Sequence, residues 1–221
     1  GLPWEDYDSF VRSFDEVYAL KPNQLQLGFL KLLKGSYLYE HAKEYGVISH
    51  TGPPYEVLQT DWLSYDDILR IKRVEEMLEV YYNSGQFEVT MKVLECCLHS
   101  AFAMFAQLGD FYERQGYFGM SHSRLRRCEI LLEFVEKYYR EATDVIKESL
   151  IFDLYYRENA KTRPAWAANP AEWKPFTRRL CKCGSQSHLE RFSYRFPDKS
   201  VPTIVSLPRA ERQPVYVLFD Y

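Results

Sequence analysis

Hydrophobic and polar residues alternate one by one near the start of the chain. Residues 24–29 read QLQLGF, and this two-residue period predicts a strand with one buried face that continues to residue 33. The segment before it predicts a helix from Asp6 to Leu20, and Ser36 can cap a short helix that ends at Gly46. This order of elements is typical of the edge of an α/β layer, which cannot cover its own strand.

From residue 64 onward, apolar residues recur every three or four positions, which predicts helices. Ser64 and Asp67 resemble a capping box that opens a helix reaching about Asn83. Further helices are predicted along Phe87, Met91, Leu94 and Leu98, along Ala101, Phe105, Leu108 and Tyr112, and after a cap at Ser121. Residues 144–158 are apolar nearly all round, so that helix should be central, and the whole pattern predicts an antiparallel helical bundle.

The residue pattern changes in the last part of the chain, where strands are predicted after the last helix. Asn169, Pro170 and Glu172 fit the first positions of a helix that runs to about Cys181, and two strands around residues 189–196 and 215–219 predict a hairpin. The predicted fold class is therefore α+β and predominantly α-helical. The predicted divisions are residues 1–50, 51–168 and 169–221.

Composition and charge narrow the function classes. The net charge of -3 gives no case for binding nucleic acid or a membrane surface, and no apolar run reaches the roughly 18 residues of a membrane span. Eleven Lys and Arg face five Asp and Glu from Lys161 onward, whereas the remainder is acidic, so the basic tail could dock on the acidic body or meet an acidic partner. The odd count of five Cys and the lack of a signal peptide predict a cytoplasmic protein.

The sequence contains one cluster of possible metal ligands, but its spacing is weak evidence for a metal site. Cys181, Cys183 and His188 carry ligand types that suit zinc or iron, but only one residue separates the two thiols and no fourth ligand is evident. Two ordinary thiols at a helix end explain the same pattern. Arg124, Arg126 and Arg127 begin a predicted helix and could serve an acidic neighbour or a phosphate, although a solvated face explains them too.

Two N-terminal stretches resemble the radical S-adenosylmethionine family. Residues 1–10, GLPWEDYDSF, are similar to the Gly-Leu-Pro-Gly-Glu turn that follows a late strand of that family's partial β/α barrel, and residues 27–36, LGFLKLLKGS, resemble the next strand and its Lys-Gly-Ser turn. The segments PPYEVL, WLSY, VYYNS, LYYRE and LFDY, at residues 53–58, 62–65, 80–84, 154–158 and 218–221, resemble the C-terminal region of a bacterial group in which a cobalamin-binding domain precedes the radical core.

The resemblance implies a site and also shows what is missing. It implies that the backbone at Gly1, Leu2 and Pro3, together with Leu27, Gly28 and Phe29, would lie near the adenine of S-adenosylmethionine. The CxxxCxxC that holds the family's four-iron–four-sulfur cluster does not occur in the chain, and Trp4 replaces the glycine that usually follows the proline. The cluster, S-adenosylmethionine and cobalamin are therefore expected in a longer intact protein, and no cofactor is expected in this segment.

Two hypotheses for function follow. The first is that the chain is the C-terminal accessory part of a radical S-adenosylmethionine enzyme of unknown substrate, without radical chemistry of its own and with the radical core of its own polypeptide as partner. The abrupt start at Gly1 and the strand-like end at Tyr221 add the expectation that it is part of a longer polypeptide. The second is a non-enzymatic helical module that binds a protein.

Overall fold

Local sequence signals set most helix starts in the computed structural model, which describes residues 1–98, 100–173, 175, 187–194 and 214–220. Within these ranges there are seven α-helices and four short strands, which pair as two antiparallel two-stranded sheets. The predicted class, α+β with mostly helix, is confirmed.

The helices and strands follow one another along the chain with short connections. They are α1 Tyr7–Ala19, α2 Tyr37–Glu40, β1 Ile48–Ser49, β2 Val57–Gln59, α3 Tyr65–Leu78, α4 Glu88–Glu95, α5 Ala101–Gln115, α6 Arg124–Tyr138, α7 Thr143–Arg157, β3 Ser187–Phe192 and β4 Val215–Asp220. A π-helical turn, Glu79–Asn83, extends α3 to the predicted end, and 3-10 turns occupy Arg140–Ala142 and Pro170–Glu172.

Most predicted helix caps are confirmed. Ser36 accepts a backbone hydrogen bond at the start of α2, and Ser64 forms the capping box with Asp67. Asp6, predicted as the first residue of the first helix, instead caps α1 by accepting from the Ser9 N–H. The cap predicted at Ser121 is wrong, because Ser123 is the residue whose hydroxyl accepts from the backbone N–H of Arg126. The helix therefore starts at Arg124, two residues later than a cap at Ser121 would give.

Two further predictions in these regions need correction. The helix predicted over residues 37–45 ends at Glu40, and turns lead from there to Gly46. Asn169 caps a single 3-10 turn, and the rest of the helix predicted to reach Cys181 lies almost entirely outside the described residues. The predicted C-terminal hairpin is confirmed, since β3 pairs with β4 from Ser187 opposite Asp220 to Phe192 opposite Val215.

The strand predicted over residues 24–33 is not formed. The segment is extended, and one isolated bridge joins Lys31 to Glu56. A strand requires a neighbour that supplies a ladder of hydrogen bonds. Instead, Asn83 holds Leu25, because its side-chain oxygen accepts from the Leu25 N–H at 2.9 Å and its amide nitrogen donates to the Leu25 carbonyl at 2.9 Å.

The first compact unit comprises Gly1–Asn83 and Ser100–Phe118. Within it, α3 packs on α5 and α1 packs on α5. Gly109 permits the first contact, since a methyl group there would lie 3.1 Å from Arg73 Cβ. The Tyr81 hydroxyl, in the π-helical turn that extends α3, shares a buried hydrogen bond of 2.6 Å with the Tyr112 hydroxyl of α5.

The second compact unit comprises Ser84–His99 and Gly119–Tyr221. Helix α7 is its centre, as predicted, because it contacts both α4 and α6 and buries residues on every side. The Phe152 ring also meets Phe192 of β3 and Phe219 of β4, at centroid distances of 5.8 and 5.5 Å. This grouping describes packing, and the predicted division at residues 50 and 168 stays a prediction.

Candidate functional site

The N-terminal turn places the first three residues implied by the resemblance. The backbone of Gly1 lies against β2 and α3, since a methyl group there would be 3.7 Å from Val57 Cγ1 and 3.6 Å from Ile68 Cδ1. Pro3 is half-buried, whereas the Leu2 side chain is 56% exposed. The turn is therefore anchored at Gly1 and open to solvent at Leu2.

Trp4 has a left-handed backbone conformation in this turn. Its φ is 64°, in the left-handed region that glycine enters freely and other residues enter at a cost. The backbone at this position therefore adopts a conformation that would suit the glycine expected from the resemblance.

Leu27, Gly28 and Phe29 form the second predicted segment. Leu27 and Phe29 are half-buried and Gly28 is exposed, so burial alternates as the sequence predicts. Within the described ranges the Gly28 backbone is open, because no atom beyond its chain neighbours lies within 4 Å of an added Cβ. In those same ranges, residues 26–29 make no backbone hydrogen bond.

Strand β2 brings the two segments into one neighbourhood. The backbone N–H of Val57 donates to the Leu30 carbonyl at 2.8 Å, and the Val57 side chain faces Gly1. On the α3 side, Lys72 pairs with Glu56 and lies 5.3 Å from the Phe29 ring centre. The first unit therefore places both predicted segments beside β2, while their contact with S-adenosylmethionine stays a prediction.

The second unit contains a cleft of about 350 Å³. One face of α7, the linker at residues 163–168 and the end of β3 form its walls. Glu148 of α7 lines the cleft and joins this helix to the residues after β3, because its carboxylate accepts from the backbone N–H groups of Ser193 at 2.7 Å and Tyr194 at 3.1 Å. Trp166 offers a donor, since its buried Nε1 has no partner among the described residues.

A buried carboxylate, Glu190, is the centre of the polar network in this cleft. Both of its oxygens pair with the Arg163 guanidinium, and His188 Nε2 lies 2.6 Å from Oε1. Burial opposes ionisation of Glu190, but the hydrogen bonds from His188 and Arg163 prevail and lower its pKa. The Tyr155 ring stacks on His188 at 3.7 Å and completes the arrangement.

This hydrogen-bond network is better suited to stabilising the fold than to catalysing a reaction. Both Glu190 oxygens are occupied, and Arg163 also donates twice to the Ala168 carbonyl, at 3.1 and 2.8 Å. Fixing Arg163 and Ala168 against β3 shapes the linker that forms one wall of the cleft. Sequence reasoning missed the pair because Arg163 and Glu190 lie 27 residues apart without any motif.

Of the weak metal candidates, the structure describes only His188. Its Nε2 is engaged with Glu190, which leaves Nδ1 as the nitrogen for any metal. Cys181 and Cys183 lie outside the described residues. Across the ranges that are described, no group of three His, Cys, Asp or Glu side chains could hold a metal ion.

The cysteines that the structure describes do not fit an iron–sulfur cluster. Burial raises the pKa of the Cys128 thiol to about 12, which disfavours the thiolate that binds iron. Cys96 and Cys97 donate to the carbonyls of Lys92 and Val93 one helical turn back. The predicted basic patch meets acidic neighbours: Arg124 contacts Glu158, and Arg126 contacts Glu129 and Glu133.

Comparison with known proteins defines the class of this helical chain. A family model described as "Protein of unknown function (DUF4080)" matches residues 43–200. Because the match covers well over half of the sequence, the chain belongs to the DUF4080 family. The six residues implied to lie near S-adenosylmethionine all precede the matched range.

Two other comparisons returned nothing. No curated protein and no solved structure matches the chain. Among the described helices, none has the length and apolar character needed to cross a bilayer.

Proposed function

We propose that this chain is the C-terminal accessory region of a radical S-adenosylmethionine iron–sulfur protein of the cobalamin-binding group. The radical chemistry belongs to the intact protein, because this chain contains no CxxxCxxC and its described cysteines do not fit the cluster. Membership of the DUF4080 family is compatible with this role and does not specify it.

The observation that carries the proposal is the backbone of residues 26–29. These residues are extended, alternate between half-buried and exposed, and have no backbone hydrogen bond to any described residue. An extended segment with a free edge is a template for another strand. A preceding barrel strand would complete a sheet at this position, as the resemblance implies.

The position of β2 supports the same proposal. Leu30 and Gly1 both contact Val57, so a strand that pairs with residues 26–29 would approach the turn at residues 1–4. In the family that the chain resembles, this turn and this strand border the cofactor. The helical remainder of the first unit would then support the end of the barrel.

Amide hydrogen exchange tests the proposal on this chain and on the intact protein. In this chain alone, the amides of residues 26–29 should exchange almost as fast as in an unfolded peptide. In the intact protein they should be protected by about 100-fold or more, as expected for a paired strand. The exposed turn at Gly52 is a control that should exchange equally in both.

A second measurement addresses the chemistry. The intact protein, reconstituted without oxygen, should bind iron and sulfide and cleave S-adenosylmethionine reductively, whereas this chain should do neither. Unchanged exchange at residues 26–29 together with an intact protein that binds no iron would refute the proposal. The alternative, a helical protein-binding module without enzymatic activity, would then be preferred.

A further inference from the structure

Three aromatic rings from three separate segments meet on the surface of the first unit. Trp4 comes from the N-terminal turn, Tyr45 from the turns after α2, and Trp62 from the segment after β2. The ring centroids are 5.5 Å apart for Trp4 and Tyr45, 5.6 Å for Trp4 and Trp62, and 6.2 Å for Tyr45 and Trp62. Their planes are inclined to one another by 43–71°.

Core packing does not explain the position of Trp4, whereas Tyr45 and Trp62 are half-buried. The Trp4 side chain is 72% exposed, although tryptophan is among the residues that gain most from burial. Trp4 also adopts a left-handed φ of 64°, which costs free energy for any residue with a side chain. A large apolar ring is therefore kept in water on a strained backbone, which is typical of a binding surface.

The Asp61 carboxylate lies against Gly46, the residue that follows Tyr45. Gly46, with a φ of +57°, follows Tyr45, and an added Cβ there would lie 1.9 Å from Asp61 Oδ1. The Asp61 backbone N–H donates to the Tyr45 carbonyl at 3.1 Å, and Asp61 directly precedes Trp62. In the described part of the chain, the Asp61 carboxylate accepts no hydrogen bond and pairs with no cation.

We propose that Trp4, Tyr45 and Trp62 bind an organic ammonium cation of the trimethylammonium type, with Asp61 as its counter-charge. A cation about 3 Å above the plane of the three ring centres would lie about 4.5 Å from each, inside the ~6 Å limit for a cation–π contact. Inclined rings around an open surface suit a rounded group covered with methyls. The carboxylate adds attraction that a neutral ligand of the same shape would not gain.

The tryptophans provide the measurement. The chain has four of them, and Trp166 and Trp173 belong to the second unit, so their indole N–H signals in a nitrogen-edited NMR spectrum are internal controls. Choline should shift the signals of Trp4 and Trp62 in a saturable manner and leave the other two unchanged. Its neutral isostere, 3,3-dimethylbutan-1-ol, should shift them at least about tenfold less at equal concentration.

Two probes distinguish the sources of the cation. Choline represents a free small molecule, and a short peptide with one trimethyllysine represents a modified protein side chain. The probe with the lower Kd identifies the source, and the same peptide with unmodified lysine is its control. Binding of either probe through the same two tryptophans supports the proposal.

Variants separate binding from folding. Trp4→Gly removes the ring and suits the left-handed φ, so the fold should be retained while the Kd for choline rises about tenfold. Asp61→Asn preserves the shape beside Gly46 and should raise the Kd about threefold to tenfold, with the difference shrinking at high salt. Tyr65→Ala removes an exposed ring outside the group and should leave the Kd unchanged.

Three results would overturn the proposal. The first is that choline and its neutral isostere shift the Trp4 and Trp62 signals equally. Another is choline binding that Trp4→Gly leaves intact. The third is the absence of any saturable shift at Trp4 and Trp62 with either cationic probe, which would make the exposed ring group a packing feature only.

Discussion

The starts of α3 and α4 show two different ways to cap a helix. At α3, Ser64 accepts from the N–H of Asp67 at 3.2 Å, Asp67 accepts from the N–H of Ser64 at 3.1 Å, and the pair is exposed. At α4, Phe87 provides no cap, and Asp153 of α7 accepts from the N–H groups of Val89 at 3.0 Å and Thr90 at 2.8 Å. The first cap is local, and the second comes from more than sixty residues away.

The two caps contribute unequally to the free energy of unfolding, because one is exposed to water and the other is buried. Water can replace an exposed cap, so the loss of the α3 pair costs only a modest amount. Asp153 is 4% exposed and also accepts from the Thr90 hydroxyl at 2.7 Å. If its carboxylate were removed, this hydroxyl and the two backbone N–H groups would be left without hydrogen-bond partners inside the protein. A distant, buried cap therefore joins two helices, whereas a local cap only begins one.

The largest expected effect is that of Asp153→Ala. The change leaves two backbone donors and one hydroxyl unpaired in a buried place, so the free energy of unfolding should fall by about 3–5 kcal/mol. Urea unfolding followed by circular dichroism measures the loss. A decrease under 1 kcal/mol would show that the start of α4 does not depend on this contact, and Thr90→Val, expected to cost about 1 kcal/mol, isolates the hydroxyl.

Asp153 should also make stability depend on pH. Burial, which outweighs the hydrogen bonds from Thr90 and Val89, raises its pKa to about 6 from 3.8. Between about pH 4 and 6 the folded state therefore binds more protons than the unfolded state. The protonated Asp153 contributes its full stability below about pH 4, and this contribution is lost as the pH rises through 6. The expected loss is on the order of 3 kcal/mol.

The matched control for this prediction is Asp153→Asn, which cannot titrate. Other groups, including Glu190 with its lowered pKa, contribute equally to both proteins and cancel in the difference. Unfolding free energies of both proteins at intervals from pH 4 to 7 give the comparison. If the two curves run parallel, Asp153 does not titrate in this range.

The smallest expected effect is that of Ser64→Ala. It removes a local, exposed cap, so the free energy of unfolding should fall by about 1 kcal/mol or less. Ser121→Ala is the matched control, since Ser121 caps no described helix, and it should change nothing. A loss at Ser64 as large as that at Asp153 would contradict the distinction between local and distant caps.

The candidate sites also combine residues that are far apart in the sequence and close together in the structure. The resemblance pointed to Gly1, Leu2, Pro3, Leu27, Gly28 and Phe29, and in the structure Gly1 and Leu30, the residue after Phe29, both lie next to Val57. Nothing in the sequence indicated that Arg163 would meet Glu190, or that Trp4 and Trp62 would meet Tyr45. Such groups form between positions that only folding brings together.

The sequence by itself determined where most of the helices lie, the caps at Ser36 and Ser64 and the C-terminal hairpin, because those signals act within a few residues of one another. It also predicted the alternating burial of residues 24–29, but not that they would lack a ladder in the described chain. Tertiary structure decided the distant cap at Asp153, the buried ion network at Glu190 and the surface ring group at Trp4. Their donors, charges and rings are far apart in sequence, and only packing determines which of them meet.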